Sequence, residues 1–392
     1  MAESRSAAPG RQQETWTVGS RGWTAAAAFT PGPGNHIKIA AVANIFDVAK
    51  RAGVSIATVS RVLSRPDAVA SATRRRVMQA VTYLGYTTNA AGKHLRTQKS
   101  DKILVTIPDI SNPFYSRVLQ SIEESAQREG YSVLLADTQH DLKREERYTL
   151  MLRRRDAEGL IVLGDGLPDV ALEVSRETSG IAHIVGACEF NSRANIPRVH
   201  IDNHAAARDA LEHLYSLGHR RIGLIAGPSD SALSRDRLEG ATARARVQRA
   251  EKDLMVARGD FTLESGEKAA VQLLARADRP TAIFCFNDQM AIGAMDVLRR
   301  RGLVVPDDVS VVGFDDISFA RYTVPALTTI AQPVREIGQE TVRLLLGIVR
   351  GHTPSAVSVI LPYRLVVRDS TAPLAGTKRG RRVQMEEPVS RR

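Results

Sequence analysis

The chain has 392 residues, 43% hydrophobic and 25% charged, with 54 Lys and Arg against 43 Asp and Glu for a formal net charge of +11. This length allows two or three domains, and the apolar fraction excludes a wholly disordered protein. Every apolar run falls short of the ~20 residues of a membrane-spanning helix, and the brief run over 25–29 is too short for the core of a signal sequence. The two cysteines, Cys188 and Cys285, lie far apart in apolar runs, as buried thiols of a reducing compartment do. A cytoplasmic protein is expected.

The charge is unevenly distributed: +2 over 1–43, +8 over 44–99, −3 over 100–377 and +4 over 378–392. Positive charge concentrated on a small segment is the signature of a polyanion partner. A membrane surface in that role would require a long basic amphipathic helix with Trp or Phe on its apolar face, and the sequence has none.

Residues 1–43 mix Gly, Pro, Ser and Ala without a sustained period, and PGPG at 31–34 opposes regular structure. They read as a disordered leader, which a start codon chosen too far upstream would also produce. The stretch IFDVAKRAGVSIATVSRVL at 45–63 comes next. Val48, Ala49 and Ala52 recur at helical spacing, Gly53 ends the helix, and Ser55 is a good N-cap for a second run carrying Val59, Val62 and Leu63. The second helix offers Ser55, Ala57 and Thr58 at its start and Ser60 and Arg61 further on, a face that suits the DNA major groove. A packed helical hairpin without DNA fits the pattern equally well; the surrounding positive charge tips the balance. After a Pro66 loop, Ser71 is expected to cap a third helix whose Val77, Ala80, Val81 and Leu84 form one apolar face. The head is placed at 44–88. TTNAAGKHLRTQKS at 87–100 is polar and basic with one isolated leucine, Leu95. It reads as a linker or a conditional helix, which Gly92 weakens by ~1 kcal/mol.

From Lys102 the pattern changes to apolar β-rich runs alternating with amphipathic helices: ILVTIPD (103–109), YSVLLAD (131–137), GLIVLGD (159–165), AHIVGAC (182–188), RVHID (198–202), RIGLIAG (221–227), LMVARGD (254–260), AIFCFND (282–288) and VSVVGFDD (309–316). Strands that are apolar throughout and separated by helices make parallel sheets covered on both faces. The fold class is α/β, an all-α head on a core, 101–371, of two doubly wound parallel-sheet subdomains. Many strands end in Asp, Asn or Gly, and ligands of open α/β sheets bind beyond the carboxyl ends of the strands. Helix capping accounts for about half of these residues; the others point to a cleft for a small polyhydroxylated molecule. No catalytic or cofactor motif is present: there is no P-loop, GxGxxG or GxSxG, and His200 and His204 straddle a strand end and a helix start rather than pairing on one face. The tail, 372–392, reads as a disordered basic end.

Taken together, DVAKRAGVSIATVSRVL, TRRRVMQAVTYLGY, IPDISNPFYSRVLQSIEESAQREGY, HIDN, GHRRIGLIAGP, RLEGA, FNDQMAIGAM and VSVVGFDD...PALTTIAQP, in that order from about Asn44 to Ser370, resemble the lactose and galactose repressor family of bacterial transcription regulators. ARGDF, AGP, EIG and the IPD opening are most similar to its cytidine-type subgroup. The resemblance implies a DNA-binding head, a hinge at 89–100 and a core shaped like periplasmic sugar-binding proteins, crossed three times by the chain. It also implies a homodimer on a near-palindromic operator and control by a sugar or nucleoside effector, with no cofactor. By position, Ile56, Ala57 and Arg61 fall where the family reads bases, and Asn89 and Leu95 lie in the hinge, with Leu95 as a minor-groove wedge. Ile56 and Ala57 can meet a thymine methyl but cannot make bidentate bonds, which leaves polar readout to Arg61. For the effector, the matching positions are Phe114, Tyr115, Arg237, Phe261, Asn287, Asp288, Gln289 and Asp315. A periplasmic binding protein would share the core but lack the basic head.

Overall fold

The computed structural model describes residues 43–86, 99–164, 173, 183–188, 196–353 and 357–374. The chain divides into two compact units, 1–88 and 89–392.

The head is three helices, α1 (Ile45–Ala52), α2 (Ile56–Ser64) and α3 (Ser71–Leu84). Asn44 and Asp47 cap α1 reciprocally, and Gly53 closes it at φ 63°, a left-handed conformation that glycine adopts without steric cost. Ser55 caps α2 through the Thr58 amide. Val48, Val59, Val62 and Val77 meet in a shared core, as the apolar spacing requires. One cap differs from expectation. α3 begins at Ser71, its N-cap position is Ala70, and no side chain caps it, so Ser71 lies one position too far into the helix to take the first free amides.

The core holds two sheets. β1 (Lys102–Ile107), β2 (Ser132–Asp137), β3 (Gly159–Val162), β4 (Ile184–Ala187) and β5 (Arg198–Ile201) belong to the first; β6 (Ile222–Ala226), β7 (Leu254–Arg258), β8 (Ala282–Cys285), β9 (Ser310–Asp315) and β10 (Thr328–Ala331) to the second. β11 (Ser358–Leu361) returns to the first sheet and β12 (Arg364–Val366) to the second. Among the described residues the orders are β11-β5-β4-β3-β1-β2 and β12-β10-β9-β8-β6-β7. The chain therefore passes between sheets three times, after β5, β10 and β11. All pairings are parallel except β12 on β10. β10 to β12 carry little signal in the sequence: TTIA is half threonine, and the other two are short edge strands with partly exposed side chains.

The covering helices are α4 (Pro113–Arg128), α5 (Leu142–Arg153), α6 (Asn203–Ser216), α7 (Ala232–Val247), α8 (Leu263–Leu274), α9 (Asp288–Arg300) and α10 (Val334–Val349). Strand order reverses at β1/β3 and at β6/β8. These are the switch points at which loops diverge to opposite faces and leave a crevice. Both cysteines are buried.

Candidate functional site

The head presents Ser55, Ile56, Ala57 and Arg61 on the solvent face of α2, opposite the buried Val59 and Val62. Ser55 and Thr58 share a hydroxyl hydrogen bond of 2.9 Å, and Ser55 Oγ also accepts from the Thr58 amide. Their hydroxyls thus serve first to hold the start of the helix, and Thr58 and Ser60 are half-buried. Ile56 is 38% exposed, an apolar side chain that no core neighbour explains. Asn89 and Leu95 lie outside the described residues.

In the core, the loops beyond the strand ends enclose a cleft of about 750 Å³ between the two sheets. It brings together Phe114, Tyr115, Arg237, Phe261, Asn287 and Asp315, six of the eight positions singled out from the sequence. Arg237, on α7, is 1% exposed. Its Nε donates to Asn203 Oδ1 at 3.0 Å, its Nη1 donates to the Phe286 carbonyl, its Nη2 stands 3.8 Å from Asp315 Oδ1, and the guanidinium lies 3.5 Å above the Phe314 ring. Asp315 Oδ1 accepts from Gln332 Nε2 at 2.8 Å. Burial pushes the Asp315 carboxyl up to about 6, with Arg237 and Gln332 drawing it back down. The result is a desolvated cation and carboxyl, fixed in place at the wall of the cleft.

The aromatic walls are equally fixed. Asn112 Oδ1 accepts from the Phe114 amide at the start of α4, and Phe114 and Tyr115 meet edge to face at 5.4 Å. Phe261 has φ 71°, a strained conformation for an aromatic residue. Two neighbours hold it there: Asn287 Nδ2 donates to its carbonyl at 2.8 Å, and Asp260 Oδ1 accepts from the Thr262 amide at 3.1 Å. Gly227 makes room for the ring, because a Cβ at that position would run into it. Asp315 and Asp316, at the end of β9, have φ of 108° and 53°, so left-handed backbone recurs along the second subdomain's wall of the cleft.

Two of the expected effector residues do not line this cavity. Asp288 is fully buried; its carboxylate oxygens accept from the Ile317 amide at 2.8 Å and from Thr329 Oγ1 at 2.6 Å. Burial, and then the charge of Asp315, raises its carboxyl well above the ordinary range. It ties α9 to β10 instead of facing a ligand. Gln289 is half-buried and also lies off the lining. Conversely, Glu145 on α5 lines the cleft with one buried carboxylate oxygen that has no hydrogen-bond partner among the described residues, and burial raises its carboxyl. It sits within the charge run LKREER, where the sequence offers nothing to separate it from solvated neighbours. Asp109 and Asp230 complete an acidic rim. His200 uses both ring nitrogens on the Ile201 carbonyl and Ser358 Oγ, and among the described residues no cluster of three or more His, Cys, Asp or Glu could hold a metal ion.

A basic helix-turn-helix head followed by a two-sheet core with a buried, pre-set polar cleft is the plan of a ligand-responsive bacterial transcription regulator. A family model described as "Bacterial regulatory proteins, lacI family" matches residues 44–89, and one described as "Periplasmic binding protein-like domain" matches 211–371. The chain is 42% identical to the HTH-type transcriptional repressor CytR of Escherichia coli K12 over 334 residues, 85% of this chain and 97% of that protein. The Lac repressor dimer bound to operator and the anti-inducer ONPF superposes with a TM-score of 0.78 at 30% identity, over 85% of this chain and all of that one. A complex of the transcriptional regulator CelR with cellobiose matches at 31% identity and TM-score 0.63, over 84% of this chain and 99% of that one. The chain belongs to the lacI family of bacterial regulatory proteins. It is a DNA-binding transcriptional regulator and not an enzyme. Among the described residues no helix is long and apolar enough to cross a membrane.

Proposed function

We propose that this regulator is a cytoplasmic, nucleoid-associated repressor that binds a near-palindromic operator as a homodimer, and that an uncharged sugar or nucleoside in the inter-sheet cleft sets its operator affinity. In this reading Ile56, Ala57 and Arg61 face base edges, while Ser55, Thr58 and Ser60 support the helix and meet phosphates. Leu95 wedges into the minor groove beside Asn89 in the hinge.

The observation that carries the effector assignment is the Arg237–Asp315 pair. Both are almost fully buried, both line the cavity, and a fixed donor next to a fixed acceptor matches vicinal hydroxyls. Phe261 and Phe114 supply apolar faces for a ring. The charge of the lining argues for an uncharged occupant: among the described residues Asp109, Glu145, Asp230, Asp260 and Asp315 stand against Arg237. A phosphorylated ligand would meet net repulsion there. The cellobiose bound by the related regulator CelR is likewise an uncharged polyhydroxylated molecule. Such an effector shifts operator affinity only through a difference in its affinity for two subdomain arrangements, and a cleft contributed by both subdomains makes that difference available.

The test is a thermal-shift screen of the purified protein against sugars and nucleosides, since a ligand of the folded state raises its melting temperature. At least one compound is expected to raise it, and to lose that effect in Asp315→Asn, each variant compared with its own unliganded baseline. A rise that persists unchanged in the variant refutes the assignment.

A further inference from the structure

The segments that cross between the subdomains line a second cavity, of about 410 Å³. Its charge is opposite in kind to that of the cleft. Arg117 of α4 and Arg335 of α10 reach it from the first subdomain and Arg364 of β12 from the second. The guanidinium groups of Arg335 and Arg364 have no hydrogen-bond or ion-pair partner among the described residues. Arg117 Nη1 donates to the Asp316 carbonyl at 3.1 Å. The carboxylate of Asp316 is already taken by Arg368 at 2.6 Å, which leaves Glu336 as the opposing charge on the lining. Three planar guanidinium groups that line one open cavity from separate elements match the oxygens of a phosphate, which accepts several charge-assisted bonds at once.

The cavity also touches the cleft through shared residues. Gln332 lines it and donates to Asp315 of the cleft at 2.8 Å. Asp316 lines it and follows Asp315 directly, both in left-handed backbone.

We propose that this cavity binds a phosphate monoester, clamping Arg117 and Arg335 of one subdomain to Arg364 of the other, and that its occupancy is coupled through Gln332 to the Asp315 carboxyl of the cleft. The volume holds a phosphate with a small organic body and is too small for a folded partner. An anion that bridges the subdomains favours the arrangement in which all three arginines reach it, and coupling between two sites acts equally in both directions. That this coupling tunes the response to an effector rests on the effector reading of the cleft; the anion site itself does not.

The experiment is titration calorimetry on the full chain with inorganic phosphate and with ribose 5-phosphate, at constant ionic strength made up with chloride. Wild type is expected to bind saturably, and Arg335→Ala/Arg364→Ala, two exposed positions outside both cores, to bind at least about tenfold more weakly. Tighter binding of ribose 5-phosphate than of inorganic phosphate supports a phosphorylated metabolite as the ligand, and equal binding supports free phosphate. Absence of saturable binding, or undiminished binding by the double variant, overturns the site. Asp315→Asn is expected to keep the site but change its phosphate affinity by roughly threefold or more, and an affinity identical to wild type overturns the coupling. The sugar and nucleoside screen reports on the cleft separately, so either reading can fail without the other.

Discussion

Asp315→Asn sets two effects of burial against each other. In the folded protein the Asp315 carboxyl titrates at about 6, against 3.8 for an ordinary aspartate, because burial outweighs the attraction of Arg237 and the hydrogen bond from Gln332. The native state therefore holds a proton that the unfolded chain has released between those values. Stability falls as pH rises through that window and levels off above it. At ~1.4 kcal/mol per pH unit, keeping the charge buried at neutral pH costs about 3 kcal/mol. Asparagine retains an oxygen to accept from Gln332 and carries no charge. The opposing effect is the loss of a partner for buried Arg237, and breaking a buried ion pair commonly costs about 3–5 kcal/mol. That attraction is already included in the value of about 6, the pair is separated by 3.8 Å, and Arg237 keeps Asn203, the Phe286 carbonyl and the Phe314 face. Burial wins, and the variant is expected to be more stable at pH 7 by about 3 kcal/mol, which for a core of this size raises the melting temperature by about 4–8 °C. Its margin over wild type should vanish near pH 4, and its operator affinity should no longer respond to effector. Melting curves followed by circular dichroism at pH 4 and pH 7, with operator binding by fluorescence anisotropy, measure all three. A variant that melts several degrees below wild type at pH 7 refutes the reasoning.

Asp288→Asn should preserve the effector response, because that side chain serves the Ile317 amide and Thr329 and does not line the cavity; loss of response with an unchanged melting temperature would return Asp288 to the ligand. Gly227→Ala should displace the Phe261 ring and weaken effector binding well beyond its effect on melting temperature, as read by calorimetry beside a melting curve. In the head, Arg61→Ala should weaken specific operator binding by about 1–3 kcal/mol; an equal loss on nonspecific DNA in a gel-shift assay would make it a phosphate contact. Leu95→Ala should reduce both operator affinity and DNA bending, measured by permuted-site mobility, since an apolar wedge acts by unstacking a base step.

Local chemistry was legible in the sequence wherever neighbouring residues decide the outcome. The capping of α2, the Gly53 turn and the apolar face of α3 depend on residues at most a few positions apart. The nine β-rich runs became β1 to β9; the mark is plainest in β3, β4, β6, β8 and β9, which are buried at every residue, and weaker in β2, β5 and β7, whose side chains are partly exposed. The ends of those strands then indicated where a cleft would open, and family resemblance supplied six positions that line it. The tertiary structure alone decided which polar residues at those ends line the cavity. Asn287 and Asp288 are adjacent with similar side chains, yet one lines the cavity and the other is sealed against β10, because burial is set by elements that arrive more than 25 residues later in the chain. For the same reason Glu145 is indistinguishable in sequence from the solvated charges around it, and Arg117, Arg335 and Arg364 give no sign that they share an enclosure. The edge strands β10 to β12 and the three crossings draw their stability from pairing with distant partners, and such pairing depends on the whole fold rather than on any local stretch.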